Sequence, residues 1–437
     1  MSMPANIRIR LSLMMFLLYV IWGSWAVVAY PFFVGLKFDP WVISFLMSMG
    51  SLACIVVPFI GGQIADRWLP TQLFLAIIGL AGGVFLLLMA VARDQWTMLL
   101  LMGGYALLFA PTLPLTNSLA FHHLSDPDRE FGGIRVWGTI GWIVAGLGLT
   151  LWRHTCDPEF GRLLSGFSMT GDWFSQFWKV WWNPSGTCVQ GDLFYLAGGC
   201  SLAFGLFCFF LPHTPPNREG VNPLAFLEAL KLLKDRNFLV FLVIAFVVTT
   251  ELNFYYIPTP SFLADIGIAP ANVPSVMTIA QLAEIVVLAF LLPRAIKRFG
   301  LRWTLALGVI AWPLRYVIFA IGEPTWLVAA ALTLHGFGYA FFFVASQIYV
   351  NNVAHSDIRA SAQSLLTLVT VGFGMWLGAH IYTFTKVLFT FAEGGVEKTN
   401  WTAVFLVPCA LTALCALAYL VFFRPPEKQL AAEEATA

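Results

Sequence analysis

Charged residues are scarce in this chain. Lysine, arginine, aspartate and glutamate make up only 11% of its 437 residues, whereas a soluble domain carries about 25%. Together with 59% hydrophobic residues and a mean hydropathy of +0.80, this composition excludes an ordinary soluble domain and indicates an integral membrane protein. The formal net charge of +1 gives no sign of a nucleic-acid partner.

Sequence signatures of soluble enzymes are also missing. The chain has no phosphate-binding Walker loop, so we do not expect it to drive transport with ATP by itself. Its histidines and cysteines do not form a metal-ligand cluster. His122 and His123 stand together at the end of an apolar run, where an interfacial position is expected. We therefore predict no enzymatic activity, no metal and no cofactor.

Cysteine is infrequent outside the apolar runs. Five of the seven cysteines lie within such runs, where a small core residue is expected. Cys156 and Cys188 both lie in one long polar loop, 153–189. If that loop is outside the cell, the two can form a disulfide; otherwise both remain free thiols.

Long apolar runs dominate the chain. A helix needs about 20 apolar residues to cross the hydrocarbon, and an open sheet cannot satisfy its backbone there. Twelve segments qualify, so we predict an all-α membrane protein with twelve transmembrane helices. The segments are 11–34, 41–65, 71–92, 96–120, 131–152, 190–212, 237–263, 272–293, 302–321, 325–350, 360–386 and 400–423.

The basic residues give the orientation. An even number of spans puts both termini on one side, and fifteen of the 24 lysines and arginines fall on that side. Basic loops stay in the cytoplasm, which predicts cytoplasmic termini in a cell (inner) membrane. A polar segment then divides the spans into two groups of six. We predict a helix bundle over 1–212, a cytoplasmic linker over 213–236, a second bundle over 237–424 and a cytoplasmic tail over 425–437.

The eighth span contains the apolar stretch 273–292, in which two polar residues, Gln281 and Glu284, lie one helical turn apart. A carboxylate at this depth costs roughly 2.5–3.5 kcal/mol, so it is expected only beside a polar cavity, a partner or a substrate. Desolvation favours the neutral form of a carboxyl group, and Glu284 can therefore couple proton movement to substrate movement. The alternative is a structural glutamate permanently paired with Arg135.

The fifth span carries Arg135, Thr139 and Trp142 at intervals of four and three residues. This spacing puts a fixed charge, a hydroxyl and an aromatic ring on one helical face. We predict that this face lines a cavity. The alternative for Arg135 is a side chain that reaches back to the membrane surface.

The seventh span contains Glu251, Asn253 and Tyr256, and two prolines follow at 258 and 260. Prolines at these positions predict a broken helix, and broken helices often mark a transporter's binding site. Glu251 has two interpretations: a direct role in transport, or a structural ion pair with Arg315.

Aromatic residues cluster in two places. The tenth span contains Phe341, Phe342 and Phe343 next to small residues, which suits stacking against a flat ring, although core packing alone also explains such a run. Part of the loop 153–189 is rich in rings and contains Trp173, Phe174, Phe177, Trp178, Trp181 and Trp182. They form either a girdle at the bilayer surface or an amphipathic lid over the outer mouth.

These motifs together resemble one family. A plan of six and six helices with a cytoplasmic linker, and a Gly62-Gln-Ile-Ala-Asp66-Arg67 string after the second span, resemble the major facilitator superfamily. Within it, the chain looks like a bacterial nucleoside:H+ symporter over nearly its whole length. The matching stretches are Trp22-Gly-Ser-Trp25, Leu36-Lys-Phe-Asp39, Ile64-Ala-Asp-Arg-Trp68, Pro111-Thr-Leu, Asn117, Arg135-Val-Trp-Gly-Thr-Ile-Gly-Trp142, Glu251-Leu, Gln281 with Glu284, Ala311-Trp-Pro-Leu-Arg315 and Ile358-Arg-Ala-Ser-Ala-Gln363.

The resemblance implies import of nucleosides with protons by alternating access. We expect a monomer in the lipid bilayer, because nothing in the sequence requires more than one copy. It implies that a nucleoside binds in a central cavity. The implied substrate-binding residues are Arg135, Thr139, Trp142, Asn253, Tyr256, Gln281, Glu284 and Phe341. Glu284, with Glu251, is the implied proton-coupling group.

The chain departs from the family pattern at Phe342, where the best-known members have an acidic residue. This departure leaves most of the proton coupling to Glu284. It also keeps an alternative open, a symporter for a sugar or another glycoside. An alternative from another class is a membrane sensor that binds its ligand without transporting it.

Overall fold

The computed structural model describes residues 4–67, 69–124, 127–184, 188–215, 229–354, 359–394 and 396–425. At positions 57–67, 127–129, 359–360 and 396 it describes the backbone alone. Most of the predicted linker, the predicted tail and Trp68 therefore lie outside the described residues, as do the side chains of Asp66 and Arg67.

Helices account for nearly all the regular structure among these residues. The first part of the chain forms α1 (Ala5–Ala26), α2 (Ala29–Gly35), α3 (Pro40–Arg67), α4 (Thr71–Val91), α5 (Gln95–Phe109), α6 (Thr112–His123), α7 (Pro127–Thr155), α8 (Pro158–Ser165), α9 (Gly171–Trp182) and α10 (Asp192–Cys208).

The second part begins with a short 3₁₀ turn, Leu230–Lys234. It continues with α11 (Arg236–Tyr256), α12 (Thr259–Asp265), α13 (Val273–Val286), α14 (Leu292–Ile321), α15 (Thr325–Ala331), α16 (Thr333–Gly338), α17 (Ala345–Val353), α18 (Arg359–Thr367), α19 (Met375–Leu388) and α20 (Trp401–Phe422). Three π-helical segments interrupt this part, at Val287–Leu291, Tyr339–Val344 and Leu368–Gly374.

Nine helical segments among the described residues are long and apolar enough to cross a membrane. One of them, Val273–Ile321, has 49 residues and contains two spans, because Gly300 has a φ of 76° and breaks the helix. Two shorter apolar helices, Pro40–Val56 and Asp192–Cys208, also occur. These segments confirm the predicted all-helical membrane protein and are consistent with twelve spans.

The predicted break in the seventh span is confirmed. Helix α11 ends at Tyr256, and α12 begins at Thr259 after Pro258. A proline lacks the amide hydrogen that would continue the helix, so the helix ends directly after the polar residues of this span.

One element was not predicted. Residues Thr390–Glu393 and Val396–Thr399 form a two-stranded antiparallel hairpin between α19 and α20. An exposed ion pair of 2.8 Å between Lys398 and Glu393 joins the two strands.

Close contacts divide the chain into two compact units. One contains Met1–Leu46, Ala65–Asn217 and Tyr256–Thr278, and the other contains Met47–Ile64, Arg218–Tyr255 and Ile279–Ala437. We call them the first and the second unit. The domain boundaries predicted from the sequence stay a prediction.

Within the first unit, α1 packs directly against α7. Gly141 makes this approach possible, because a Cβ atom at that position would lie 2.3 Å from the carbonyl oxygen of Phe16. On the other side of the contact, a Cβ atom at Gly23 would meet the backbone of Trp142 at 3.0 Å. Small residues at such crossings are typical of membrane helices.

The loop 153–189 contains α8 and α9. A disulfide joins Cys156 to Cys188, with their Cα atoms 5.4 Å apart, which confirms the first of the two alternatives for these cysteines. Arg153, near the end of α7, forms a two-pronged ion pair with Asp192 at 2.8 and 2.9 Å. Both links hold the ends of this loop together.

Candidate functional site

The site residues predicted from the sequence fall into two groups, one in each unit. Arg135, Thr139 and Trp142 lie on α7 in the first unit, and Tyr256 belongs to the same unit. The remaining residues lie in the second unit. They are Glu251, Asn253, Gln281, Glu284 and Phe341.

On α7, Arg135 is half-buried and stacks on an aromatic ring of α1. Its guanidinium carbon lies 4.4 Å from the centroid of the Tyr19 ring. A guanidinium over an aromatic face is a stabilising cation–π contact. The contact holds Arg135 against α1, so its planar donors keep a defined direction.

Trp142 is buried and belongs to an aromatic cluster in the first unit. Its ring packs edge-on against Trp22, with the centroids 5.3 Å apart. Trp22 in turn contacts Tyr19 at 6.0 Å and Phe109 at 5.9 Å. Thr139, one turn before Trp142, is half-buried. This part of α7 therefore combines a cation, a hydroxyl and fixed aromatic rings. That this face lines a cavity stays a prediction.

In the second unit, Asn253 is buried and already bonded. Its amide nitrogen donates to the backbone carbonyl of Met375, the first residue of α19 after a π-helical segment. A π-helical turn disturbs the regular bonding of the backbone, so Asn253 supports the packing of α11 against α19. Tyr256, at the end of α11, is half-buried.

Glu251 is fully buried. Its side chain does not form an ion pair with Arg315, which was one of the two hypotheses for this residue. One carboxyl oxygen accepts a 3.3 Å bond from the Thr250 hydroxyl. The link to Arg315 is indirect, through Tyr316. Arg315 donates to the Tyr316 hydroxyl at 3.0 Å, and that hydroxyl donates to the backbone carbonyl of Glu251 at 2.5 Å.

Arg315 itself is fully buried and surrounded by rings. Its guanidinium carbon lies 4.6 Å from the centroid of Trp312 and 4.7 Å from those of Tyr255 and Tyr316. It also donates to Nδ1 of His335 at 3.3 Å. Because a guanidinium only donates, His335 accepts at Nδ1 and carries its proton on Nε2.

Tyr255 connects this buried cation to the polar residues of the eighth span. Its ring stacks on His335, with centroids 4.2 Å apart. Its phenol lies beside the Gln281 side chain and within electrostatic range of Glu284 and Arg315. The structure therefore brings Gln281 and Glu284 together with Tyr255, His335 and Arg315.

Gln281 is buried and Glu284 is half-buried on α13. Helix α16 approaches α13 very closely here, since a Cβ atom at Gly336 would lie 2.6 Å from the backbone nitrogen of Glu284. The π-helical segment Val287–Leu291 follows within one turn, and such segments are frequent at functional sites. Glu284 therefore lies between a close helix–helix contact and an irregular turn, and its side chain is partly exposed.

Phe341 and Phe342 lie in the π-helical segment Tyr339–Val344 and are both buried. Phe341 packs edge-on against Phe337 at 5.7 Å. Phe342 is 0% exposed and packs against Phe241 at 6.4 Å. The position that carries an acid in the best-known family members is thus occupied by an apolar core contact in this chain.

Tyr19 and Tyr255 belong to these groups but were not predicted from the sequence. The spacing of each could have indicated it. Tyr19 precedes Trp22 by three residues on α1, and Tyr255 follows Glu251 by four residues on α11. Each spacing puts the tyrosine on the same helical face as a residue that had been singled out.

Comparison with known proteins identifies the family. The model of the family described as "Nucleoside H+ symporter" matches residues 5–157 and 184–428. The chain belongs to this family. All the site residues discussed above fall inside the matched ranges, and residues 158–183 fall outside them.

Two proteins of Escherichia coli are similar to this member of the nucleoside H+ symporter family over nearly their whole length. The putative nucleoside transporter YegT of Escherichia coli (strain K12) is 33% identical over 436 residues, covering 97% of this chain and 95% of that protein. The nucleoside permease NupG of Escherichia coli (strain K12) is 27% identical over 440 residues, covering 96% of each.

A crystal structure of the nucleoside transporter NupG superposes on this chain with a TM-score of 0.78 at 25% identity. It covers 96% of this chain and 100% of the other. This agreement confirms the major facilitator fold that the resemblance implied, and with it a multi-pass membrane transporter.

Proposed function

We propose that this protein imports nucleosides together with protons by alternating access, and that it works as a monomer with both termini in the cytoplasm. The observation that carries the proposal is the family match, which runs through every residue of both site groups. The curated relatives named nucleoside transporter or permease, which align over nearly their whole length, support the same substrate class.

The side chains described above suit the chemistry of a nucleoside. A flat base stacks on aromatic rings, and Trp142 with Phe341 provide such rings. Ribose hydroxyls and base edges need both donors and acceptors. Arg135, Thr139 and Gln281 supply them. An uncharged substrate leaves one carboxyl group free to carry the proton, and the half-buried Glu284 is the group we assign to this role.

In the proposed cycle, Glu284 takes up a proton from the outside before or with the nucleoside, and releases it after the protein opens inward. The substrate and the proton can drive the conformational change only if they bind the outward-open and the inward-open state with different affinities. Glu251 contributes as a second carboxyl group that stays buried near the Tyr316 and Arg315 pair. Phe342 supplies no proton acceptor, so the cycle relies on these two glutamates.

Uptake into proteoliposomes tests the function directly. Labelled uridine and adenosine are supplied outside, with and without an inward proton gradient. We expect accumulation that the gradient stimulates and an uncoupler abolishes. Uptake that only equilibrates contradicts coupling and indicates a uniporter. No uptake of either nucleoside contradicts the substrate class, and competition assays with free sugars then test a glycoside symporter.

A further inference from the structure

Helices α8 and α9 form a part of the chain to which the family match assigns no role, because residues 158–183 lie outside it. Helix α9 has two aromatic stripes, each with a spacing of four residues. This spacing keeps the members of a stripe on one helical face. The two stripes have different surroundings.

The inner stripe, Trp173, Phe177 and Trp181, is packed. Phe177 stacks on Trp173 at 5.2 Å and on Trp181 at 5.6 Å. Trp181 stacks on His154, in the last turn of α7, at 4.2 Å. These contacts hold one face of α9 against the end of a membrane-spanning helix.

The backbone of α9 is fixed at the same place. The carbonyl oxygen of Trp181 accepts from the buried side chain of Asn272 at 2.6 Å and lies 2.9 Å from Nε2 of His154. The Cys156–Cys188 disulfide closes the loop. The orientation of α9 about its own axis is therefore determined, and so is the direction of its other face.

The outer stripe, Phe174, Trp178 and Trp182, is 47%, 53% and 50% exposed. Phe167 and Met169, just before α9, are 57% and 85% exposed. Exposing large apolar side chains to water costs about 25 cal/mol of free energy for each Å² of apolar surface. A contiguous set of them in a membrane protein therefore marks a surface that something else covers.

We propose that the outer stripe of α9 is a lipid-binding surface that lies in the headgroup region of the bilayer at the end of α7. Two observations select the bilayer as the partner. Tryptophan is enriched at the boundary between headgroups and hydrocarbon, where its ring is partly apolar and its N–H stays polar. The last turn of α7, to which α9 is fixed, itself exposes Leu151 by 51% and Trp152 by 50%, as expected of a helix face that meets lipid.

The composition of α9 also fits an interfacial helix. Lys179 lies between the exposed aromatic residues in sequence and is itself exposed, so its ammonium group can reach the phosphates while its stem stays among the rings. An amphipathic helix of this kind lies in the plane of the interface. In this arrangement the inner stripe attaches α9 to the end of α7, and the outer stripe contacts lipid.

Quenching of tryptophan fluorescence by brominated phospholipids tests this surface. The protein is reconstituted in phosphatidylcholine brominated either near the headgroup or near the chain ends. The variants Trp178→Phe and Trp182→Phe are compared with the native chain, so that the difference gives the emission of each tryptophan. Trp173→Phe, from the inner stripe, is the matched control.

We expect headgroup-proximal bromine to quench Trp178 and Trp182 strongly, chain-end bromine to quench them weakly, and aqueous acrylamide to quench them little. Quenching by acrylamide but by neither bromolipid would place the stripe in water and overturn the proposal. Protection from both quenchers, together with cross-linking between protein copies, would assign the stripe to a second copy and also overturn it. The assay measures no transport, so its result is independent of the proposed function.

Discussion

His154 and Trp181 are joined at both the ring and the backbone. Their rings stack at 4.2 Å, and Nε2 of His154 lies 2.9 Å from the carbonyl oxygen of Trp181. Nδ1 of the same imidazole lies 2.9 Å from the carbonyl oxygen of Thr150. One imidazole therefore lies within hydrogen-bond distance of a backbone carbonyl on its own helix and of another on α9.

We therefore predict that His154 holds α9 against the end of α7. His154→Ala removes the ring that stacks on Trp181 and both contacts with backbone carbonyl oxygens. Hydrogen exchange of peptides from 158–182 should become faster in this variant than in the native chain. Exchange at the native rate would contradict the prediction.

Replacing Glu284 with glutamine should separate binding from coupling. Glutamine keeps the size and a polar end but cannot carry and release the proton. We expect Glu284→Gln to lose uphill accumulation of nucleoside in proteoliposomes and to retain exchange of labelled for unlabelled substrate. Glu397→Gln, in the exposed hairpin, is the matched control. Full proton-driven accumulation by the Glu284 variant would refute its assigned role.

Tyr255 should affect the site without holding the fold together. Tyr255→Phe keeps the ring on His335 and Arg315 and removes the hydroxyl beside Gln281. Because the phenol lies beside Gln281 and within electrostatic range of Glu284, we expect nucleoside affinity to fall by roughly twofold to tenfold, the change that about 0.5–1.5 kcal/mol produces. The half-saturating nucleoside concentration and the pH profile of uptake should change, while the amount of folded protein should not. If only the amount of folded protein falls, the residue is structural.

The sequence predicted the helical membrane fold because the length and polarity of a segment largely decide whether it can cross a bilayer. It also predicted the break after Tyr256, which depends on the prolines that follow. The cavity expected beside the Arg135 face of α7 stays a prediction. The use of Asn253 in packing against Met375 and the burial of Arg315 among rings depend on contacts between distant helices. Those contacts leave no periodic signal within a single segment.

Breaking the disulfide should loosen the loop that contains α8 and α9 without abolishing transport. A disulfide that closes a loop of this length contributes typically about 2–4 kcal/mol, and here it constrains residues between Cys156 and Cys188. We expect Cys156→Ser to make the loop sensitive to added protease and to leave nucleoside uptake near the native level. A reductant should produce the same sensitivity in the native chain and no further change in the variant. Unchanged protease resistance in both would show that packing alone holds the loop.

Restoring an acid at Phe342 should not restore coupling, because the position is an apolar core contact in this chain. Phe342 is 0% exposed and packs against Phe241, and a Cβ atom at Gly308 would lie 2.5 Å from its backbone nitrogen. Phe342→Asp removes a buried ring, a change of a kind that costs about 3–5 kcal/mol, and adds a carboxyl group without a built partner. We expect a large loss of folded protein and no rise in the number of protons moved per nucleoside. Phe342→Leu, which keeps much of the apolar packing, should fold and transport. A Phe342→Asp protein that folds and moves more protons per nucleoside would mean that this helix can turn the position toward the substrate, and that the acid is a coupling group the chain has lost.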